Sequence, residues 1–135
     1  MISMKARYNG DLTCTATHLK YGVELTTDAP VDNNGKGSTF SPTDLLCTSL
    51  ATCMMTIMAI TANAKGIQLG KIEVNIEKIM AAEPRRVSGI NLHFTIENRG
   101  FDHREMEILK NAALTCPVAK SIHPDIIVNT EFLFE

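Results

Sequence analysis

Ser41-Pro42-Thr43-Asp44-Leu45-Leu46-Cys47-Thr48-Ser49-Leu50-Ala51-Thr52-Cys53 opens a run with no charge from Leu45 until Lys65-Gly66. Its start is written in local chemistry. Ser41 suits an N-cap, Pro42 the first helical position, and Asp44 stands three residues after the cap, a capping box with a short acid in place of Glu. Lys65 places a cation in the last turn, and Gly66 can take the left-handed conformation that ends a helix. The spacing predicts a helix over about 42–65. Its length nearly spans a bilayer. Thr48, Ser49, Thr52, Thr56 and Thr61 and the lack of aromatic anchors favour a core helix instead, apolar on nearly all sides.

The flanks of this helix read as strands. Lys5-Ala6-Arg7-Tyr8 and Leu12 to Thr17 are separated by Asn9-Gly10-Asp11, a hairpin signal, and Tyr21 to Thr27 follows. Residues 28–41 form a loop, in which Gly35-Lys36-Gly37 lacks the spacing of a phosphate loop. Beyond the helix, Ile72, Val74 and Ile76 alternate with Glu73, Asn75 and Glu77. Ile90, Leu92, Phe94 and Ile96 alternate with Asn91, His93, Thr95 and Glu97. Both segments are half-buried strands. A second helix starts at Asp102 with Glu105 as its capping partner; Met106, Leu109, Ala113 and Leu114 are its buried stripe. Pro117 stops it, a short helix over 118–123 is expected, and a last strand covers 126–134. The order β-β-β-α-β-β-α-α-β implies an α+β class with an antiparallel sheet.

The chain's 135 residues, 44% hydrophobic and 21% charged, suit one domain, 1–135, with one core. A net charge of −2 with no basic stripe argues against a nucleic-acid partner. The N-terminus shows no apolar stretch of signal-peptide type, so the cytoplasm is the expected location. Four cysteines in a reducing compartment are catalytic, metal-binding or simply buried. No Cys-x-x-Cys is present. His18, His93, His103 and His123 have no ligand spacing, so no metal is expected.

Chemistry therefore rests on thiols. Cys53 is mid-helix, where a cysteine commonly fills core space. Cys116, in Thr115-Cys116-Pro117, either ends the second helix or stands at the N-cap of the short helix that Pro117 opens, where free N–H groups and the helix dipole favour a thiolate. Cys14 and Cys47 carry no distinguishing context. Asp44 is nine residues before Cys53, roughly 13–14 Å along a helix, and cannot serve that thiol from the same helix.

The two cysteine contexts, in this order and over nearly the whole chain, resemble the OsmC/Ohr family of osmotically inducible and organic hydroperoxide resistance proteins. Ser41 to Cys53 looks like its first cysteine motif, Thr115-Cys116-Pro117-Val118 like its second. Pro84-Arg85-Arg86-Val87-Ser88-Gly89-Ile90-Asn91-Leu92-His93-Phe94 looks like a strand entry of the OsmC-like branch. The resemblance implies antiparallel sheets wrapped around two central helices in an intertwined homodimer. It implies that Cys53 is a peroxidatic thiol, Cys116 its resolving partner through a disulfide, and Asp44 a carboxylate reaching the site from the other subunit. An external dithiol would be the reductant, with no metal, flavin or other cofactor and no membrane. The chain departs from the peroxidase branch at Thr43, where that branch has glutamate, and in lacking an arginine at Tyr8-Asn9-Gly10-Asp11. Arg7, Arg85 and Arg86 are the remaining cations to consider. A binder of apolar small molecules without peroxidase activity is the alternative, and a dimer whose cysteines are only core residues a third.

Overall fold

The computed structural model describes residues Met1–Glu135. They divide into two compact units, Met1–Leu46 and Cys47–Glu135.

The first unit is a three-stranded antiparallel sheet in the order β1-β2-β3, with β1 Met4–Gly10, β2 Thr13–His18 and β3 Glu24–Asp28. The expected hairpin is present, but its turn is Asp11-Leu12, both at positive φ (52° and 61°). Gly10, also at positive φ, sits where the register shifts. Two consecutive left-handed residues match the right-handed twist of paired strands. Leu12 is held there from both sides. Its N–H donates to the Tyr8 hydroxyl (3.2 Å), and its carbonyl accepts from Ala29 (3.1 Å). Tyr21 to Val23 belongs to a turn, closed by His18 N–H to the Val23 carbonyl at 2.8 Å, so β3 starts later than its sequence pattern suggests.

The loop after β3 folds tightly over itself. Gly35 lies so close to the Ala29 carbonyl that a Cβ would sit 1.7 Å from its oxygen, so only glycine fits. Asp28, fully buried, accepts from both the N–H (3.0 Å) and the hydroxyl (2.6 Å) of Ser38 on Oδ2, while Oδ1 has no partner. No apolar side chain of this unit is buried; Met4, Tyr8, Leu25 and Phe40 are all exposed.

Helix α1, Pro42–Lys65, starts in the first unit and continues into the second. Its start is the reciprocal box read from sequence. Ser41 N–H donates to Asp44 Oδ2 (2.9 Å), and Asp44 N–H donates to Ser41 Oγ (3.0 Å). Its end is a Schellman motif: Gly66 at φ 69°, with Gly66 N–H to the Asn63 carbonyl and Ile67 N–H to the Ala62 carbonyl.

The second unit contains α1 from Cys47 onward, β4 (Ile72–Ala82), β5 (Arg85–Ile96), α2 (His103–Leu114) and β6 (Ile127–Phe134). β4 and β5 form an antiparallel hairpin; β6 returns through α2 and so runs parallel to β5. The class is α+β, with this one parallel pairing in an otherwise antiparallel scheme. Central strand β5 buries Ile90, Leu92, Phe94 and Ile96, and Phe94 stacks on Phe132 of β6 at 5.0 Å. On α1 the buried residues are Cys47, Leu50, Ala51, Met54, Met58 and Ala62, a stripe with spacings of three and four.

Asp102 and Glu105 form the expected capping box of α2. Its buried face is Leu109, Ala112 and Ala113; Leu114, expected in that stripe, is 50% exposed because it lies roughly 100° round the helix from Ala113. Residues 117–122 form hydrogen-bonded turns in place of the expected short helix. Ser121 N–H bonds to the Val118 carbonyl three residues back, Ile122 N–H to the same oxygen four back, and the ladder stops there.

Candidate active site

Cys53 is on α1 one residue before buried Met54, which leaves it at the edge of the buried stripe and partly exposed. Cys116 comes from the far end of the unit. α2 ends at Leu114; Thr115 caps it with its N–H (3.1 Å) and its hydroxyl (2.9 Å), both donating to the Ala112 carbonyl. Pro117 has no N–H to extend a helix, and the chain turns. That turn carries Cys116 inward to full burial.

There it neighbours the Cys53 thiol. None of the four cysteines is in a disulfide. Cys116 Sγ also accepts from the Ala119 N–H at 3.3 Å, three residues on, the geometry of an N-cap without a following helix. Cys116 does not stand at the N-cap of a short helix, because none forms. It follows the end of α2, and it caps the next turn.

Burial pushes the Cys116 thiol above the ordinary cysteine value, against the pull of the Ala119 N–H; the neighbouring Cys53 side chain pushes it further up. Cys116 thus holds its proton more tightly than an ordinary cysteine, and a protonated thiol can donate to its neighbour. The N–H groups of Ala119 and Val118 on the same turn oppose that rise. The arrangement can carry out dithiol–disulfide chemistry: one reachable sulfur, one enclosed sulfur, and backbone donors on the enclosed one.

Asp44 belongs to the first unit and is engaged as the α1 cap described above. Arg7 donates to the Asn9 side chain (3.1 Å), and Arg86 to the Val87 carbonyl (3.2 Å). Cys14 lies in β2 and Cys47 in the α1 core. His93, exposed on the polar face of its strand, hydrogen-bonds Glu131 at 2.9 Å. The parallel register sets His93 opposite Glu131, and Asn91, bonded to Glu77, opposite Asn129. No periodicity in a single strand announces such a partner. The Ala119 N–H was also invisible to side-chain reasoning, although Cys-Pro after a helix is the signal for such a turn.

Comparison with known proteins agrees with this geometry. The family model described as OsmC-like protein matches residues 35–131. A comparison with curated proteins found no match. A crystal structure from Psychrobacter arcticus 273-4, provisionally described as an osmotic stress induced and detoxification response protein, is 50% identical. It superposes with a TM-score of 0.92 over 98% of this chain and 96% of that one. An organic hydroperoxide resistance protein OsmC from Legionella pneumophila shares the fold at 21% identity, TM-score 0.75, with 98% of each chain covered. The organic hydroperoxide resistance protein OhrB of Bacillus subtilis does so at 19% identity, TM-score 0.68, over 97% of this chain and 98% of that one. With both cysteine contexts, the element order and the family model in agreement, the chain belongs to the OsmC-like protein family.

Proposed function

We propose that this protein reduces organic hydroperoxides to alcohols with a pair of thiols, in oxidative stress defence. The observation that carries this reading is the neighbouring pair of a partly open Cys53 and an enclosed Cys116. The Cys53 thiolate attacks the distal peroxide oxygen. The O–O bond breaks, the alkoxide leaves and takes a proton as alcohol, and Cys53 becomes a sulfenic acid. The Cys116 sulfur then attacks the Cys53 sulfur, a disulfide forms and water departs. An external dithiol restores both thiols and is itself oxidised to a disulfide. No metal, flavin or other cofactor enters the balance.

Residues 1–135 act in this reading as one OsmC-like domain and pair as an intertwined homodimer in the cytoplasm. Two observations support pairing. The first unit buries no apolar side chain of its own. Helix α1 is long and apolar enough to cross a membrane, with a mean hydropathy of 1.8, yet only 33% of that window is buried within its own chain. A second copy would cover both without a membrane. It would also bring Asp44 of the partner subunit toward a Cys53 site. Membership of the family supports a role in stress response, and the Legionella and Bacillus structures are named for hydroperoxide resistance.

A second reading, binding of an apolar small molecule without peroxide chemistry, is favoured by Thr43 standing where the peroxidase branch has glutamate. One experiment separates the two: thiol titration of reduced protein before and after stoichiometric cumene hydroperoxide, with mapping of any disulfide. Loss of two thiols and a Cys53–Cys116 bond, absent in Cys53→Ser, supports the peroxidase. Unchanged thiols at excess peroxide leave the binder.

A further inference from the structure

The two sulfurs of the couple differ in a way that bears on how it is reset. Cys116 is 0% exposed, and its own chain alone encloses it. A second copy can only add cover, so no partner opens it. Cys53 keeps an open side on α1, flanked by Thr52 one residue before and Thr56 three residues after, both exposed.

Thiol–disulfide exchange adds a geometric demand. The attacking thiolate approaches one sulfur along the extension of the S–S bond, opposite the sulfur that leaves. Attack on Cys116 would need a path through the packed interior behind it. Attack on Cys53 comes from the open side, and the bond then breaks toward Cys116.

The leaving sulfur must also hold a negative charge, and departure is faster when that charge is stabilised. Burial works against a charge on Cys116, and the turn after Pro117 offsets part of that cost. The Ala119 N–H lies 3.3 Å from Cys116 Sγ, and the Val118 N–H also faces it.

We propose that the Cys53–Cys116 disulfide is opened only from the Cys53 side, with Cys116 as the leaving thiolate held by the Val118–Ala119 backbone. This rests on the thiol-couple reading but not on the oxidant being a peroxide. One thiolate of the dithiol bonds to Cys53 Sγ, the Cys53–Cys116 bond breaks, and its electron pair goes to Cys116, which takes up a proton. The second thiolate attacks the sulfur of the dithiol in the mixed disulfide. Cys53 leaves with that electron pair and is protonated. The dithiol loses two electrons and two protons; the protein gains both.

The test uses full-length protein oxidised by diamide instead of a hydroperoxide. Excess 2-mercaptoethanol is added, aliquots are acid-quenched at early times, free thiols are blocked with N-ethylmaleimide, and peptides are mapped. The expected result is a mercaptoethanol adduct on Cys53 with a maleimide-blocked Cys116, exceeding the reverse pattern by at least about tenfold. Comparable or larger adduct on Cys116 overturns the proposal, as does failure of diamide to link the two cysteines. A Cys53 adduct in protein whose thiols ignore peroxide upholds it while removing the peroxidase reading.

Discussion

Cys116, enclosed on every side by its own chain, neighbours Cys53, which remains partly open to its surroundings. Two neighbouring thiols thus have unequal access to reagents. Alkylation should register that inequality. With iodoacetamide in the native state, Cys53 should react at least about tenfold faster than Cys116, because the nucleophile is an accessible thiolate. The pH dependence has a definite sign. A raised value means a smaller thiolate fraction at any given pH, so labelling of Cys116 should begin at more alkaline pH than that of a free cysteine. Mass-resolved labelling from pH 6 to 10 checks both points; Cys116 labelling first would be incompatible with its enclosure.

Truncation separates a redox couple from two core residues. Cys116→Ala removes a fully buried sulfur and leaves the Ala119 N–H without its acceptor, so a loss of about 1–2 kcal/mol is expected in urea unfolding. Cys53→Ala, at a partly exposed position, should cost less than about 1 kcal/mol. If Cys53 is the peroxidatic thiol, this milder change abolishes peroxide-dependent thiol loss, while Cys116→Ala leaves a Cys53 sulfenic acid that dimedone traps. Equal residual activity in both variants would return the cysteines to the core.

Asp44 has two candidate roles that one substitution distinguishes. Its Oδ2 accepts the Ser41 N–H at 2.9 Å, and its own N–H donates to Ser41 Oγ at 3.0 Å. Asp44→Asn keeps an acceptor oxygen but removes the charge near the helix N-terminus, which should cost about 0.3–1 kcal/mol. A cap alone predicts that small stability loss with unchanged peroxide reactivity. A carboxylate contributed to a Cys53 site predicts at least about tenfold slower thiol loss as well. Urea midpoints measured beside peroxide kinetics on one preparation decide between them.

Much of this architecture was legible because it is written locally. The Ser41–Asp44 and Asp102–Glu105 boxes, the Gly66 stop and the alternation in β4 and β5 each depend on residues within a few positions of one another. The β6 direction and the His93–Glu131 pair depend on contacts between distant segments, which no local window contains. The turn at Asp11-Leu12 was missed for another reason: Asn9-Gly10 is the stronger hairpin signal, but Gly10 is taken up by the register shift. Cys53 and Cys116 were identified as candidates from their contexts, whereas their contact needed the fold. Asp28 was hidden, since nothing in Thr27-Asp28-Ala29 marks a carboxylate for complete burial.

Asp28 supplies a pH signature independent of the thiols. The Ser38 hydroxyl, and then the Ser38 N–H, hold its carboxyl below the ordinary carboxylate value, against the opposing effect of burial. A depressed value in the folded chain means that the stabilisation is present above the ordinary carboxylate range and is lost as pH falls through the folded value. Asp28→Asn should therefore be less stable than the parent at pH 7, and the gap should narrow toward pH 3. Urea midpoints across that range test this. A gap that stays constant would mean that the Ser38 bonds stabilise the loop by shape and not by charge.

The last prediction concerns the open face of the first unit. Met4, Ala6 and Tyr8 on β1 lie on the same face as Cys14 and Ala16 on β2 and Leu25 on β3, because the register sets Tyr8 opposite Cys14 and aligns Ala6, Ala16 and Leu25. Leu25 is 47% exposed, and nothing apolar in the unit is buried beneath this sheet. A three-stranded sheet without its own core needs a covering surface to be stable. If a second copy supplies it, Leu25→Asp places an unpaired charge in that interface and should weaken dimerisation by about 3 kcal/mol or more, roughly a hundredfold or more in the dissociation constant. Glu24→Gln, on the opposite face of the same strand, should leave the dimer intact. Sedimentation equilibrium over micromolar concentrations reads both. A monomeric parent protein would remove the second copy as the cover, and with it any contribution of Asp44 from a partner.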